Sequence, residues 1–203
     1  MAAVTLAEAW EELPATAQRL LRAAIEAFGE HGYHGASTRQ IAVRAGMSPA
    51  ALYMHFPTKE EILYQIAQSG HEVHLELVRR AAEAAGPDPS ARVAAIVQTS
   101  VLFHAEHHSL ARVIQHEHPS LTDDHQRALL KLRRETDSLL ADAVADGVAQ
   151  GVFDPEEAPT ATVAILSLAI DVARWFPTQR RRTPTDIAAS YTHLSLRMLH
   201  PPA

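Results

Sequence analysis

The chain has 203 residues, 47% of them hydrophobic, a formal charge of −6 with histidine neutral, 13 histidines and no cysteine. That length can bury a substantial core, as one larger domain or two small ones. The lack of cysteine excludes disulfides, thiolate metal sites and thiol catalysis, no stretch of about twenty apolar residues is present to span a membrane, and the acidic balance excludes a chain that coats nucleic acid over its whole surface.

The opening segment, MAAVTLAEAWEELPA, lacks a basic start followed by an apolar stretch and does not read as a secretory signal, so a cytoplasmic location is expected. The rest reads as helix nearly throughout, because alternating strand patterns are missing. A first helix is predicted from about Thr16 to His31, with Leu20, Leu21, Ala24, Ile25 and Phe28 as its buried stripe and Gly32 as its stop.

Two short helices follow. Ser37-x-x-Gln40 is a capping box that opens a helix ended by Gly46. Ser48 caps the next, with Pro49 at its first position, and Pro57 closes it. Thr58-x-x-Glu61 opens a longer helix to about Ala85, in which Gly70 is a candidate soft point. Beyond the breaker GPDP, at 86–89, helices are expected from about Pro89 to His107, near Leu110 to His116, from about Thr122 to Gln150, from Asp154 to about Phe176 with Pro155 at its first position, and from Pro184 to about Leu199.

Isolated helices this short are marginal and must be held by their neighbours. Two of them, joined by the turn AGMS and packed on a preceding helix, make a helix-turn-helix. Ile41, Ala42, Ala45, Leu52 and Phe56 can lock the pair, leaving Pro49, Ala50, Ala51, Tyr53, Met54 and His55 for an outward face that fits the major groove. Between Thr38 and Lys59 lie Arg39, Arg44 and Lys59 and no acidic residue, a local basic face on an acidic chain.

The stretch GYHGASTRQIAVRAGMSPAALYMHFPTKEEIL resembles the N-terminal DNA-binding segment of TetR-type transcriptional regulators. It shares the Gly-Tyr after the first helix, the Ser-Thr opening the second, the Ala-Gly-Met-Ser turn, Leu-Tyr-x-His-Phe and the Lys-Glu-Glu that begins the next helix. The resemblance implies an all-α fold. A three-helix DNA-binding domain would occupy residues 1–62 and a helical ligand-binding and dimerisation domain residues 63–203. It also implies a homodimer that grips a palindromic double-stranded operator and is released by a small-molecule effector, without catalysis, a cofactor or a membrane anchor.

On this reading Thr38, Tyr53 and Lys59 are phosphate contacts. Arg39 is the base contact, since arginine grips guanine with two hydrogen bonds, and Ala50 and Ala51 meet thymine methyls. Ser48, Pro49, Met54 and His55 complete the face; His55 either contacts the DNA backbone or lies half-buried beside Phe56, Met54 either packs or enters the groove, and Arg44 is a solvated surface residue. Phe103, His104, His108, Leu132 and Trp175 are expected around the effector, and Val163, Leu166, Ile170, Leu194 and Met198 at the dimer interface.

The tail ARWFPTQRRRTPTDIAASYTHLSLRML is similar to a subgroup of these regulators, some of which respond to acyl-CoA or related lipid-like molecules. Pro177 and the run Arg180-Arg181-Arg182 depart from that pattern; the run is a solvated loop or a holder of a phosphate-bearing ligand. Histidine crowds FHAEHHSLARVIQHEHPSLTDDH, where His104 and His108, four apart, are expected on one helix face. Pocket and surface histidines are the reading adopted, with no metal. The alternative is a histidine-rich metal-binding protein or metalloenzyme, or a repressor whose effector is a metal ion. HEVHL, at 71–75, misses the zinc-protease spacing, and no phosphate loop or G-x-S-x-G is present.

Overall fold

The computed structural model describes residues 5–178, less the Thr178 side chain, and 181–200. Among them are ten α-helices and no strand: α1 Leu6–Ala9, α2 Ala15–Gly35, α3 Thr38–Arg44, α4 Pro49–His55, α5 Lys59–Ala84, α6 Pro89–Glu106, α7 His108–Glu117, α8 Asp123–Ala149, α9 Ala158–Trp175 and α10 Pro184–Leu199. No described helix is long and apolar enough to cross a membrane.

Three of the predicted caps form: Ser37 accepts the Gln40 N–H, Ser48 that of Ala51, and Thr58 that of Glu61. Two further caps, ahead of α6 and α10, were not predicted: Asp88 accepts the Ser90 N–H, and Thr183 closes a capping box with Asp186 ahead of Pro184. Gly32 breaks α2 at φ 69°, and Gly46 makes the α3–α4 turn at φ 67°, a region that side chains with a Cβ rarely adopt.

Three local expectations differ. A further short helix, α1, is opened by a Thr5–Glu8 capping box; the buried Trp10 behind it donates its indole N–H to Ser69 Oγ at 2.9 Å. Gly70 is no soft point. A Cβ there would lie 2.6 Å from Ile114 Cδ1 and 3.3 Å from Leu110 Cδ2, so its bare backbone permits close helix packing. The helix expected from Asp154 begins at Ala158, because residues 154–157 form a separate turn: Asp154 accepts the Glu156 N–H at 2.9 Å and gives its own N–H to the Leu199 carbonyl at 2.8 Å. As expected, α6 and α7 are separate helices: α6 stops at Glu106, and the non-helical His107 (φ −106°, ψ 33°) lies between them.

The chain divides into two compact units, residues 1–73 with 109–131, and 74–108 with 132–203. This division differs from one at residue 62: α5 runs on past the head, and the later segment 109–131 joins the first unit. In the first unit α2, α3 and α4 pack on one another, with Leu20, Leu21, Ile41, Leu52, Ile62, Leu63 and Ile66 fully buried. The second unit has its own core, in which α10 lies along α6 and α9. Val93, Ile96 and Val101 of α6 meet Leu140 and Val144 of α8, Ile165 and Val172 of α9, and Ile187 and Leu199 of α10.

Candidate nucleic-acid interface

The α3–α4 pair is fixed from behind by polar contacts as well as by its apolar core. Arg44 donates to Glu30 at 2.8 and 2.5 Å and to Glu26 at 3.4 Å, tying the end of α3 to α2. The same guanidinium holds the Glu30 carboxyl below its ordinary range. Arg44 is exposed, as expected of a surface residue, and its ion pairs brace α3 against α2. Arg19 of α2 donates to the Ala45 carbonyl in the turn, and Thr16 Oγ1 shares a hydrogen bond of 2.8 Å with His55 Nε2 at the end of α4. His55 is half-buried, next to Phe56.

What remains outward is one continuous set. Thr38 stands at the start of α3, its hydroxyl 3.0 Å from that of Tyr53 on α4. Arg39, Ser48, Pro49 and Ala50 are exposed and Ala51 is half-buried. Tyr53 is 51% exposed and Met54 86%, an exposure that a packing role for Met54 does not produce. Val43, a turn beyond Arg39 on α3, is 65% exposed as well; its apolar side chain gave no signal of an outward role in the sequence.

Lys59 behaves differently from the other phosphate candidates. Its ammonium donates to the carbonyls of Tyr33 (2.6 Å) and Ala36 (2.8 Å) and lies 4.2 Å from the Tyr33 ring centre. It satisfies carbonyls left open where α2 ends. Partial burial lowers its pKa, opposed by the nearby Glu117, and raises that of Tyr33. Two of its three N–H donors are used, so one is left for a phosphate.

In the second unit, Phe103 and His104 are buried in a cluster of rings. His104 Nδ1 donates to the Ser100 carbonyl at 2.7 Å, which leaves Nε2 as an acceptor. His74 stacks on Phe103 at 4.7 Å, meets His104 edge-on at 5.0 Å and shares a 3.1 Å hydrogen bond with Ser100 Oγ. His107 lies 5.0 Å from Phe103. No helical-face signal joins His74 and His107 to this cluster, because one is on α5 and the other in the break after α6. Burial lowers the pKa of His104 and His107. Trp175 belongs to a second aromatic group with Phe176 and Tyr191, and His108 is 6.5 Å from Phe176. Leu132 is half-buried on α8.

His104 and His108 do not share a helix face, since the break at His107 falls between them, and His108 Nδ1 lies 3.1 Å from the Ala105 carbonyl. Among the described residues, three metal-ligating side chains converge elsewhere, at Glu60, Glu61 and His125 within 4.8 Å of one another. There Glu60 Oε1 is engaged by His125 Nδ1 at 2.8 Å and by the Thr122 N–H at 3.0 Å.

Of the expected interface residues, Val163 is 64% and Leu194 49% exposed, Ile170 is half-buried, and Leu166 and Met198 pack against the unit's own core. Arg181 and Arg182 are exposed, and Arg180 lies outside the described residues.

Comparison with known proteins agrees with this geometry. Residues 20–66 match the family model of bacterial regulatory proteins of the tetR family, and residues 86–199 match the tetracyclin repressor-like C-terminal domain. The HTH-type transcriptional activator FasR of Mycolicibacterium smegmatis is 30% identical over 175 residues, covering 86% of this chain and 78% of FasR. A tetR-family regulatory protein from Rhodococcus RHA1 superposes with a TM-score of 0.87 at 37% identity, over 94% of this chain and 100% of that one. AibR, solved in complex with isovaleryl coenzyme A and operator DNA, shares the fold with a TM-score of 0.79 at 23% identity, over 93% of this chain and 100% of that one. With family-model matches to both its N-terminal helix-turn-helix and its C-terminal helical region, the chain belongs to the TetR family of DNA-binding transcriptional regulators.

Proposed function

We propose that the protein is a ligand-responsive repressor. Two copies bind a palindromic operator, each placing α4 in a major groove, and a small molecule taken up by the second unit releases them. The observation that carries the DNA-binding half is the outward face itself. Thr38 and Tyr53 hold their hydroxyls 3.0 Å apart at the start of α3, Arg39 stands exposed beside them, and no acidic residue occurs from Thr38 to Lys59. Hydroxyls and a helix start suit phosphate, and a free guanidinium suits a guanine edge.

Two-fold pairing through α9 and α10 is supported by the exposed Val163 and Leu194, apolar side chains that a partner would cover. Two heads on successive major grooves must lie about 34 Å apart or a multiple of that. An effector acts only through its different affinity for the competent and incompetent spacings. Phe103, His104 and Trp175 supply aromatic surface and an imidazole acceptor for it. Similarity of the tail to acyl-CoA-responsive regulators, together with the AibR complex, directs the choice of effector to acyl-CoA or a related lipid-like metabolite. A DNA-bound regulator works in the cytoplasm.

The test is selection of bound sequences from a randomised duplex pool at physiological salt, followed by release of the enriched duplex by a panel of acyl-CoA thioesters and free fatty acids. A palindrome that thioesters release supports the whole reading. An enriched palindrome that none of them releases overturns the effector class, and no enrichment overturns the operator.

A further inference from the structure

The helix-turn-helix does not stand alone in its unit, because residues 109–131 belong to it as well. Their contact with the first turn of α5 is specific. Oε1 of Glu60 accepts both the Thr122 N–H at 3.0 Å and the His125 Nδ1–H at 2.8 Å, and the His125 ring lies parallel to Tyr64, 5° apart in plane with centroids at 3.6 Å. The Glu60 side chain is only 17% exposed. Its neighbour in sequence is Lys59, whose ammonium holds the Tyr33 and Ala36 carbonyls. One residue past Ala36 is Ser37, the cap of α3, followed by Thr38 and Arg39. An unbroken path of hydrogen bonds and adjacent residues therefore leads from the start of α8 to the outward face.

We propose that Glu60 is a positioning residue for DNA binding. Anchored by Thr122 and His125, it fixes the first turn of α5, and through Lys59 it fixes the corner from which Thr38 and Arg39 project. The head that binds DNA accordingly includes residues 109–131. The inference rests on the DNA-binding reading of α3 and α4. It makes a prediction opposite to simple electrostatics. Removing a carboxylate beside a DNA-binding face should strengthen binding by reducing repulsion of phosphate, whereas removing an anchor should weaken recognition of the specific site.

The experiment measures affinity of the full-length protein for its enriched duplex and for a scrambled duplex, with folding checked by circular dichroism. Glu60→Ala is expected to lose about tenfold on the specific site, the scale of a hydrogen bond to a charged group, with scrambled-duplex binding unchanged or tighter. Glu60→Gln keeps Oε1, the one atom that takes both bonds, and is expected within about twofold of wild type. His125→Phe keeps the ring on Tyr64 but not the donor, and should fall in the same direction as Glu60→Ala. Combining the two should cost no more than the larger single loss.

Specific binding by folded Glu60→Ala equal to or tighter than wild type overturns the proposal. So do a Glu60→Gln loss as large as that of Glu60→Ala, which assigns the effect to charge, and additive losses in the pair. Should Glu60→Ala fail to fold, His125→Phe and Glu60→Gln decide by the same criteria. A wild-type protein that enriches no site overturns the DNA-binding reading itself, a result distinct from all of these.

Discussion

The hydroxyl oxygens of Thr38 and Tyr53 lie 3.0 Å apart, joining the first residue of α3 to the outward side of α4. One of the two oxygens donates and the other accepts, so the pair retains a hydroxyl hydrogen to offer a phosphate oxygen. Tyr53→Phe removes one partner, and is expected to weaken operator binding about 2- to 12-fold, the range of a neutral hydrogen bond. Because neither residue is a cation, the slope of affinity against salt should not change. Fluorescence anisotropy across a salt series checks both; a changed slope would show that a lysine or arginine had been displaced.

Arg39 is exposed, and no described acidic side chain pairs with it. Arg39→Ala should reduce discrimination at a single base pair of each half-site by about 1–3 kcal/mol. Selection from the randomised pool with this variant should return the same palindrome with one symmetric position relaxed. An unchanged motif would place base reading on Ala50, Ala51 and Met54.

Lys59 predicts a stability effect alongside any loss of binding. Lys59→Ala strips the Tyr33 and Ala36 carbonyls of their donor, with an expected cost of about 1–3 kcal/mol. Thermal melting of the free protein checks it. A variant that melts like the wild type but has a shallower salt dependence would make Lys59 a phosphate contact first.

Val163 and Leu194, with Leu168, are exposed apolar side chains that pairing through α9 and α10 would cover. Val163→Glu with Leu194→Glu should leave the monomer folded, since both side chains are already exposed, while a carboxylate buried in an interface is strongly unfavourable. Sedimentation should show the dimer lost and operator affinity reduced at least a hundredfold. A persistent dimer would move the interface off these helices.

The buried His104 sets a direction for stability with pH. Burial depresses its pKa in the folded state, and half-burial acts likewise on His107. The unfolded chain therefore takes up protons first, and stability falls as pH drops below about 6.5. The decline attributable to His104 is at most about 1.4 kcal/mol per pH unit. Asp137 is raised by burial and acts in the opposite sense at lower pH, so the comparison belongs between pH 5.5 and 7.5. His104→Gln should flatten the melting-temperature profile there; an unaltered profile would locate the dependence in other histidines.

Most of the head was legible in the sequence because its signals are local. A capping serine, a proline at a first helical position and a glycine at positive φ each act within one turn, and together they placed α3, α4 and their joint. The exposed Arg39, Tyr53 and Met54 followed from which side of those helices was apolar. Tertiary structure decided whatever depends on residues far apart in the chain. Lys59 turned inward because the end of α2 presents two open carbonyls to it. Gly70 proved a packing site because Leu110 and Ile114 press on it. His74, Ser100 and His104 meet although they lie on two helices, and Glu60 found its partners 62 and 65 residues further on. Helical periodicity reports which face is buried; it carries no information about which distant side chain arrives there.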